Sequence, residues 1–368
     1  MSLKCLVIGI GQAGNKCVVD AIENGAVKEE DTILVNSTSM DFPKNYKGKM
    51  IVTNSHNVGC GKERSISKQF IKSAIKQGVF NFDKMAEYST VSIVSSIEGG
   101  TGSGATPILS KYFHQVALKN VHVFALAGFE EDVRGIGNMI EFFQEIDSNI
   151  VLHTISNKAF LSETGNNKIK AEELANKEFC KRYRILIGDT LIASSQNIDD
   201  TDILKLSNTN GYTTVEFRYL DKALCDSDDY NKVVKRMIYE SKSIKSTNPS
   251  ASKIGVILNL SPASQEAITD PFETIKEAYG MPFECFKHIQ YDGQKEYIAF
   301  IVSGMKLPID ELQATYDRYI EASSKVNKDN DSFFDSIKAM KLNEEDKKFD
   351  MIKTPVKAKS IDDFLSDN

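Results

Sequence analysis

Short apolar runs alternate with segments of helical periodicity through the first half of the chain. The apolar runs predict strands at residues 3–10, 32–36, 50–53, 90–97, 121–127 and 150–155. Between them, apolar residues recur at helical spacing in 14–24, 62–77, 106–118 and 137–146. Strands and helices that alternate in this way are typical of a parallel sheet covered on both faces, so we expect an α/β fold.

A long helix predicted at 168–194 separates this half from a second set of elements. The pattern predicts strands at 215–219, 253–260, 284–290 and 296–302, and helices at 229–240, 271–279, 308–326 and 333–342. We therefore expect one domain over 1–167, a central helix over 168–195, a smaller α+β domain over 196–306, and a C-terminal helix with a charged tail over 307–368.

Composition narrows the class of protein. A chain of 368 residues suits two domains of ordinary size. A net charge of -6 argues against direct nucleic-acid binding, which needs a basic footprint. The six cysteines form no C-x-x-C pair, which favours free thiols. The first residues lack the features of a signal peptide, and no apolar run is long enough to cross a bilayer, so we expect a cytoplasmic protein without a membrane partner.

The most informative motif is EGGTGSG at 98–104, between a predicted strand and a predicted helix. Glycines allow close approach of the backbone to a ligand and positive φ, and a helix N-terminus offers N–H groups to phosphate. Thr101 and Ser103 add hydroxyl donors. The motif predicts a phosphate-binding loop.

A second glycine loop, GIGQAG at 9–14, admits two interpretations. G-x-G-x-x-G after a strand is also the fingerprint of NAD(P)-dependent Rossmann oxidoreductases. The acidic residue expected at the end of the second strand is replaced by NSTS at 36–39, which weakens that alternative. The chain has no G-x-x-x-x-G-K-[ST] motif, which excludes a P-loop NTPase.

Together the two loops resemble the tubulin/FtsZ superfamily, with TubZ as the most similar branch. GQAG at 11–14 resembles the first nucleotide loop of tubulins, and GGTGSG at 99–104 resembles the family's signature loop. The resemblance implies a parallel-sheet GTP-binding domain joined by a long central helix to a smaller α+β activation domain. It also implies GTP/GDP and Mg²⁺ as cofactors, with no metal ligand assigned.

The resemblance also assigns nucleotide-binding residues. NVGCGK at 57–62 is similar to the loop beside the γ-phosphate, Glu130 and Arg134 to a ribose-binding pair, and Asn157 and Asn176 to the residues that read guanine. The full predicted set is Gly11, Gln12, Ala13, Asn15, Gly59, Cys60, Gly61, Gly99, Gly100, Thr101, Gly102, Ser103, Gly104, Glu130, Arg134, Asn157 and Asn176.

NIDDTD at 197–202 resembles the family's catalytic loop, N-x-D-x-x-[DE]. In that family the loop enters the nucleotide pocket of the next subunit and positions the attacking water. The resemblance therefore implies that Asn197, Asp199 and Asp202 are catalytic and that the GTPase site is completed between subunits of a head-to-tail polymer.

The biological role is less closely defined. Similarity to TubZ implies a filament that segregates plasmid or phage DNA through a DNA-binding adaptor. The tail, with Lys347, Lys353 and Lys357 among its basic residues, is either a solvated end or the docking segment for that adaptor. An FtsZ-type division protein and a phage-centring tubulin are the alternatives.

Overall fold

The computed structural model describes residues 4–81, 83–191, 200–246, 249–324 and 358–368. Within these ranges ten strands form one sheet, in the order β3-β2-β1-β4-β5-β6-β7-β10-β8-β9. The strands are β1 (Cys5–Ile10), β2 (Thr32–Asn36), β3 (Lys49–Val52), β4 (Thr90–Ser96), β5 (Asn120–Ala127), β6 (Val151–Ser156), β7 (Gly211–Tyr219), β8 (Lys253–Asn259), β9 (Glu284–Gln290) and β10 (Tyr297–Met305).

The first six strands are parallel, as predicted. The strand order reverses direction between β1 and β4, where Ile10 pairs with Ser95. Ligands of open α/β sheets bind outside the carboxyl ends of the strands at such a switch point. Both glycine loops follow these two strands, so the topology brings them together.

The second half continues the same sheet. Strand β7 joins β6 through only two parallel pairs, Val151 with Gly211 and Leu152 with Tyr212. Beyond this seam between β6 and β7, strand β10 is antiparallel to both of its neighbours, β7 and β8. Strands β8 and β9 are parallel. The predicted α/β fold, with a parallel sheet in the first half of the chain, is confirmed.

Helices cover both faces of the sheet. They are α1 (Gly11–Glu23), α2 (Arg64–Lys76), α3 (Gly100–Gln115), α4 (Val133–Glu145), α5 (Lys168–Leu186), α6 (Asp200–Ser207), α7 (Ser227–Tyr239), α8 (Pro262–Glu266), α9 (Glu273–Tyr279), α10 (Ile309–Ser324) and α11 (Ile361–Asp367). Among the helices in the described ranges, none has the length and apolar character needed to cross a bilayer. The helix predicted at 333–342 lies outside those ranges.

The prediction of where α1 and α3 begin is wrong. Helix α1 begins at Gly11 instead of residue 14, and α3 at Gly100 instead of residue 106. Glycine is a poor helix former, so its presence favoured loops. Tertiary packing overrides that preference, because a methyl group at Gly102 would lie 2.4 Å from the carbonyl oxygen of Ser96.

The end of the chain is packed against the first domain. Phe364 of α11 is fully buried, with its ring edge-on to Tyr112 of α3 at 6.0 Å between centroids. Lys359 N donates to the carbonyl oxygen of Gln115 at 3.0 Å, and Lys111 Nζ donates to Asn368 at 3.0 Å. For residues 358–368, the expectation of a solvated end is therefore wrong.

Candidate nucleotide-binding site

Three helices begin at the edge of the sheet where the parallel strands end, and none has a side-chain cap. Their N-cap residues, Ile10 for α1, Glu63 for α2 and Gly99 for α3, accept no bond from the first turn through a side chain. Several other helices are capped by side-chain oxygens. The capping residues of α4, α5 and α7 are Asp132, Asn167 and Asp226. The first N–H groups of an uncapped helix need another hydrogen-bond acceptor, and the oxygen atoms of a phosphate can be that acceptor.

The glycines of these loops fall into two groups. Methyl groups at Gly59, Gly61 and Gly99 would meet no atom within 4 Å, so these residues border open space. A methyl group at Gly100 would instead lie 2.7 Å from backbone atoms of the loop before α2. A methyl group at Gly104 would lie 2.6 Å from the backbone of the first residue of α2. The second group thus packs helices together, and the first leaves room for a ligand. The predicted positive φ is found at Gly11 and Gly61 but at none of the glycines in 99–104.

Thr101 lies where the loops after β1, β2 and β4 meet. Its Oγ1 is 3.4 Å from the Oγ of Ser37, and its carbonyl oxygen accepts from Ser67 Oγ at 2.8 Å. A methyl group at Gly11 would lie 3.5 Å from the Thr101 side chain. Ser103 is buried, and its hydroxyl donates to the carbonyl oxygen of Gly99. Ser37 is a site residue that the sequence motifs did not single out.

The first turn of α1 presents both exposed and buried polar groups. Gln12 and Ala13 are exposed. Asn15 is fully buried, where its Nδ2 donates to the carbonyl oxygen of Val35 at 3.3 Å. Its Oδ1 has no hydrogen-bond partner in the described part of the chain. Cys60 is also buried, and its carbonyl oxygen accepts from Glu63 N at 2.8 Å.

Glu98 connects the signature loop to the loop after β5. Its carboxylate accepts from the backbone N–H of Glu130 at 3.3 Å, and a methyl group at Gly128 would collide with it. Burial raises the pKa of Glu98 above its ordinary value, although backbone N–H bonds from Glu130 and Gly128 oppose this shift. Glu98 therefore braces the neighbouring loop, a role that depends on contacts 32 residues away along the chain.

Glu130 and Arg134, the predicted ribose pair, have different partners. Glu130 has φ of 55°, and its carboxylate accepts from Lys158 Nζ at 2.6 Å. Arg134 forms an ion pair with Glu63, just before α2. Both follow the carboxyl end of β5 and so lie at the same edge as the glycine loops.

The two predicted guanine readers lie at different depths. Asn157 directly follows β6 and is half-buried at the site edge. Asn176 is buried in the third turn of α5, a helix that begins at Lys168, as predicted. Its Nδ2 donates to Asp20 of α1 at 2.5 Å. Glu172, one turn nearer the start of α5, lies 3.9 Å from Lys16.

The first half of the predicted catalytic loop, residues 197–199 with Asn197 and Asp199, lies outside the described residues. Asp202 is in the first turn of α6, 3.5 Å from Lys205. Asn208, just after α6, bonds His122 near the start of β5 at 3.0 Å. Helix α6 therefore lies by the amino ends of the parallel strands, at the opposite edge from the glycine loops.

A metal ion would find few protein ligands in this site. No cluster of three His, Cys, Asp or Glu side chains occurs within the described ranges. Mg²⁺ keeps several waters and commonly binds through substrate phosphates with one or two protein oxygens. The hydroxyls of Thr101 and Ser37 are the kind of oxygen donors that such a nucleotide-bound ion uses.

Comparison with known proteins agrees with this geometry. Residues 4–165 match the model of the Tubulin/FtsZ family, GTPase domain. The chain is 24% identical to the tubulin-like protein CetZ1 of Haloferax volcanii over 58% of its own length and 59% of that relative's. It is 25% identical to the tubulin-like protein TubZ of Clostridium botulinum C phage over 81% of this chain and 78% of TubZ.

Solved structures show the same fold. The crystal structure of Clostridium botulinum phage c-st TubZ has a TM-score of 0.69 at 19% identity and covers 89% of this chain and 100% of that one. The GTPγS-bound protofilament of Haloferax volcanii CetZ2 has a TM-score of 0.69 at 17% identity, over 88% of this chain and 99% of that one.

Residues 4–165 thus belong to the Tubulin/FtsZ family, GTPase domain, as the motifs of the first half predicted. The chain as a whole is similar to TubZ, which it matches over 81% of its own length. The matched GTPase domain includes residues 9–14, so the first glycine loop belongs to a GTPase domain and not to a dinucleotide-binding one.

Proposed function

We propose that this protein binds and hydrolyses GTP and polymerises head to tail. The observation that carries the proposal is the placement of Asp202 and the glycine loops at opposite edges of one sheet. No single copy can bring the two together without unfolding. A second copy stacked on the first can do so, because its α6 edge then faces the open glycines.

The residues take distinct roles in this proposal. The N–H groups at the starts of α1, α2 and α3 bind the phosphates. Asn157 and Asn176 select guanine, because adenine lacks the groups that would complete their hydrogen bonds. Asn197, Asp199 and Asp202 of the next copy orient the attacking water. Bound Mg²⁺ neutralises charge on the phosphates. GTP is thereby converted to GDP and phosphate at a site shared by two copies.

Exposed apolar side chains on the two edges support a head-to-tail contact. Met40 and Val58, in the loops after β2 and β3, are 84% and 59% exposed. Met281 and Phe283, before the start of β9, are 80% and 79% exposed. Two different surfaces that fit each other form a heterologous contact, which repeats into a filament when it does not close.

GTP hydrolysis per copy, measured with Mg²⁺ as protein concentration rises, tests the proposal. We expect almost no hydrolysis below a threshold concentration and a steep rise above it, in parallel with sedimentable polymer. Hydrolysis per copy that does not depend on concentration would show a self-contained GTPase. Binding of GTP without any hydrolysis would leave a nucleotide-binding module.

We further propose that the filament segregates plasmid or phage DNA. The match to phage TubZ over 81% of this chain, against 56% for FtsZ of Mycoplasmopsis pulmonis, favours this role over cell division. Because α11 is packed against α3, we assign the adaptor contact to the lysine-rich stretch before it, at residues 347–359.

Capture from the native host tests this second role. We expect the full chain to retain a small DNA-binding protein, and the variant with Lys347, Lys348, Lys353 and Lys357 changed to Gln to lose it. The same quadruple substitution should leave the rate of GTP hydrolysis unaltered. Retention of a membrane tether instead would support the division-protein alternative.

A further inference from the structure

A cavity of about 420 Å³ lies in the second half of the chain, between α7, α9 and the sheet. Tyr212 and Thr214 of β7 and Met305 of β10 form its base. Its lining includes Tyr212, the second residue of β7, and none of the predicted nucleotide-site residues. Its volume lies within the range of small-molecule sites, roughly 300–1,000 Å³.

The walls of the cavity are apolar and partly aromatic. Ile238 and Tyr239 come from the end of α7, Ile244 from the following loop, and Ala278 and Tyr279 from α9. Such a wall fits a flat or chain-like apolar body. The cavity would be costly to fill with a fully polar ligand, whose groups would lose hydrogen bonds with water there.

The base of the cavity carries hydroxyls that buried charges hold in place. Ser243 Oγ accepts from Nη1 of Arg182 at 2.8 Å, and Ser241 Oγ donates to Glu216 at 2.6 Å. Arg182 is fully buried and also donates to the carbonyl oxygen of Thr154 of β6 at 2.9 Å. The base is thus fixed from both sides of the seam between β6 and β7, which makes it a preformed surface.

Two ammonium groups and one carboxylate line the mouth. Lys235 lies 3.9 Å from Glu277, in a pair whose side chains are both more than half exposed, so it is weakly held. Lys245 Nζ donates to the carbonyl oxygen of Tyr239 at 3.0 Å and lies 5.1 Å from the centre of that ring. To bind a ligand anion, Lys245 would give up this hydrogen bond to a neutral acceptor and its contact with the Tyr239 ring.

We propose that this cavity is a binding site for an amphipathic organic anion. The apolar body lies against Ile238, Ala278 and Met305, and a carboxylate or sulfonate at the mouth pairs with Lys245, assisted by Lys235. This site is separate from the GTP site, and its ligand binds whether or not the chain polymerises.

Fluorescence of anilinonaphthalene sulfonate with the full chain tests the proposal. We expect saturable binding to one site, displaced by decanoate but not by decyltrimethylammonium, which has a similar chain and the opposite charge. Lys245→Met should weaken binding by about tenfold, because one charge-assisted contact is lost. Lys232→Met, on the exposed side of α7, is the matched control and should bind like the wild type.

Ala278→Phe fills the cavity and should abolish saturable binding. Its circular dichroism and GTP binding should match the wild type, which separates loss of this site from loss of the fold or of the proposed GTPase. Non-saturable fluorescence, equal displacement by the anionic and cationic chains, or unchanged binding in Lys245→Met would each overturn the proposal.

Discussion

The side-chain amide of Asn138 donates to the carbonyl oxygen of Glu98 at 3.0 Å. The same Nδ2 donates to the carbonyl oxygen of Lys62 at 3.1 Å. One buried side chain of α4 thus ties together the residue before the signature glycines and a residue of the loop that leads into α2. The two loops proposed to contact the phosphates are therefore held in one position relative to each other.

Asn138→Ala should lower both stability and nucleotide affinity. Two part-buried carbonyl oxygens lose their donor, at a cost of about 1–3 kcal/mol in the free energy of unfolding. Urea unfolding and titration with a fluorescent GTP analogue measure the two effects. Asn149→Ala, at an exposed turn, is the control and should change neither. Equal GTP affinity in both variants would contradict the bridging role.

Two glycines of the signature motif should respond in opposite ways to an added side chain. Gly99→Val places its side chain in open space with an extended backbone, φ of −77°, so the fold should survive while GTP binding is blocked. Gly102→Ala forces a methyl group against the Ser96 carbonyl oxygen and should cost roughly 1–3 kcal/mol. Thermal unfolding together with GTP binding separates the two. If Gly99→Val still binds GTP, the phosphates lie elsewhere.

The sequence predicted the strands closely because their apolar runs are short and bounded by polar residues. The predicted run at 90–97 is β4, Thr90–Ser96, in the structure. Helix starts were harder to predict, because Gly100 and Gly104 are helical only through packing against the segment around Arg64. The contact of Glu98 with Glu130 joins distant parts of the chain, so no local pattern could have indicated it.

The site residues likewise divide into those that local motifs indicate and those whose position depends on distant parts of the chain. Motif spacing located the glycine loops at one edge of the sheet, but it could not indicate that Asn176 bonds Asp20 of α1, 156 residues away along the chain. The docking of α11 had no sequence signal beyond a short apolar pattern at 361–365, since its partner surface lies on α3.

Mixing two inactive variants should restore hydrolysis if the active site is shared. Gly99→Val lacks a nucleotide pocket but keeps its carboxylates, whereas Asp202→Ala keeps the pocket and lacks one carboxylate. We expect each alone to be inactive and the mixture to regain part of the wild-type rate. Co-sedimentation of the two variants is the control for mixed polymer. Mixed polymer without hydrolysis would refute catalysis between copies by Asp202.

Acid should destabilise the fold through His153. Burial, with the nearby His122 and Arg182, holds the pKa of His153 well below its usual 6.5. The unfolded chain therefore takes up a proton that the folded chain refuses, and stability present above pH 6.5 is lost as pH falls, by up to about 1.4 kcal/mol per pH unit. Unfolding by urea between pH 7 and pH 5 measures this slope.

His153→Phe should make stability less dependent on pH, because phenylalanine does not titrate. Its ring can still stack on Phe124, as the His153 ring does at 4.4 Å between centroids. His56→Gln, at an exposed position, is the control and should retain the wild-type slope. An unchanged slope in His153→Phe would assign the acid sensitivity to other residues.

Phe364→Ala should release α11 from the first domain. The helix has only seven residues, and Phe364 is its one fully buried side chain. Trypsin cleavage after Lys359 should therefore become much faster, while thermal unfolding of the remaining chain changes little. Asp362→Ala, exposed on the same helix, should leave cleavage unchanged. Equal protection in both variants would mean that the hydrogen bonds of Lys359 and Asn368 hold the helix without Phe364.

The opposite placement of α6 and the open glycines gives any row of stacked copies a direction. One end of the row presents a glycine edge to solvent, where a nucleotide can enter or leave. The other end would present Asp202 without a pocket, and in the proposed polymer each interior nucleotide would be covered by the next copy. Exchange of GDP for GTP would then be confined to one end, so growth and shrinkage at the two ends would follow different chemistry.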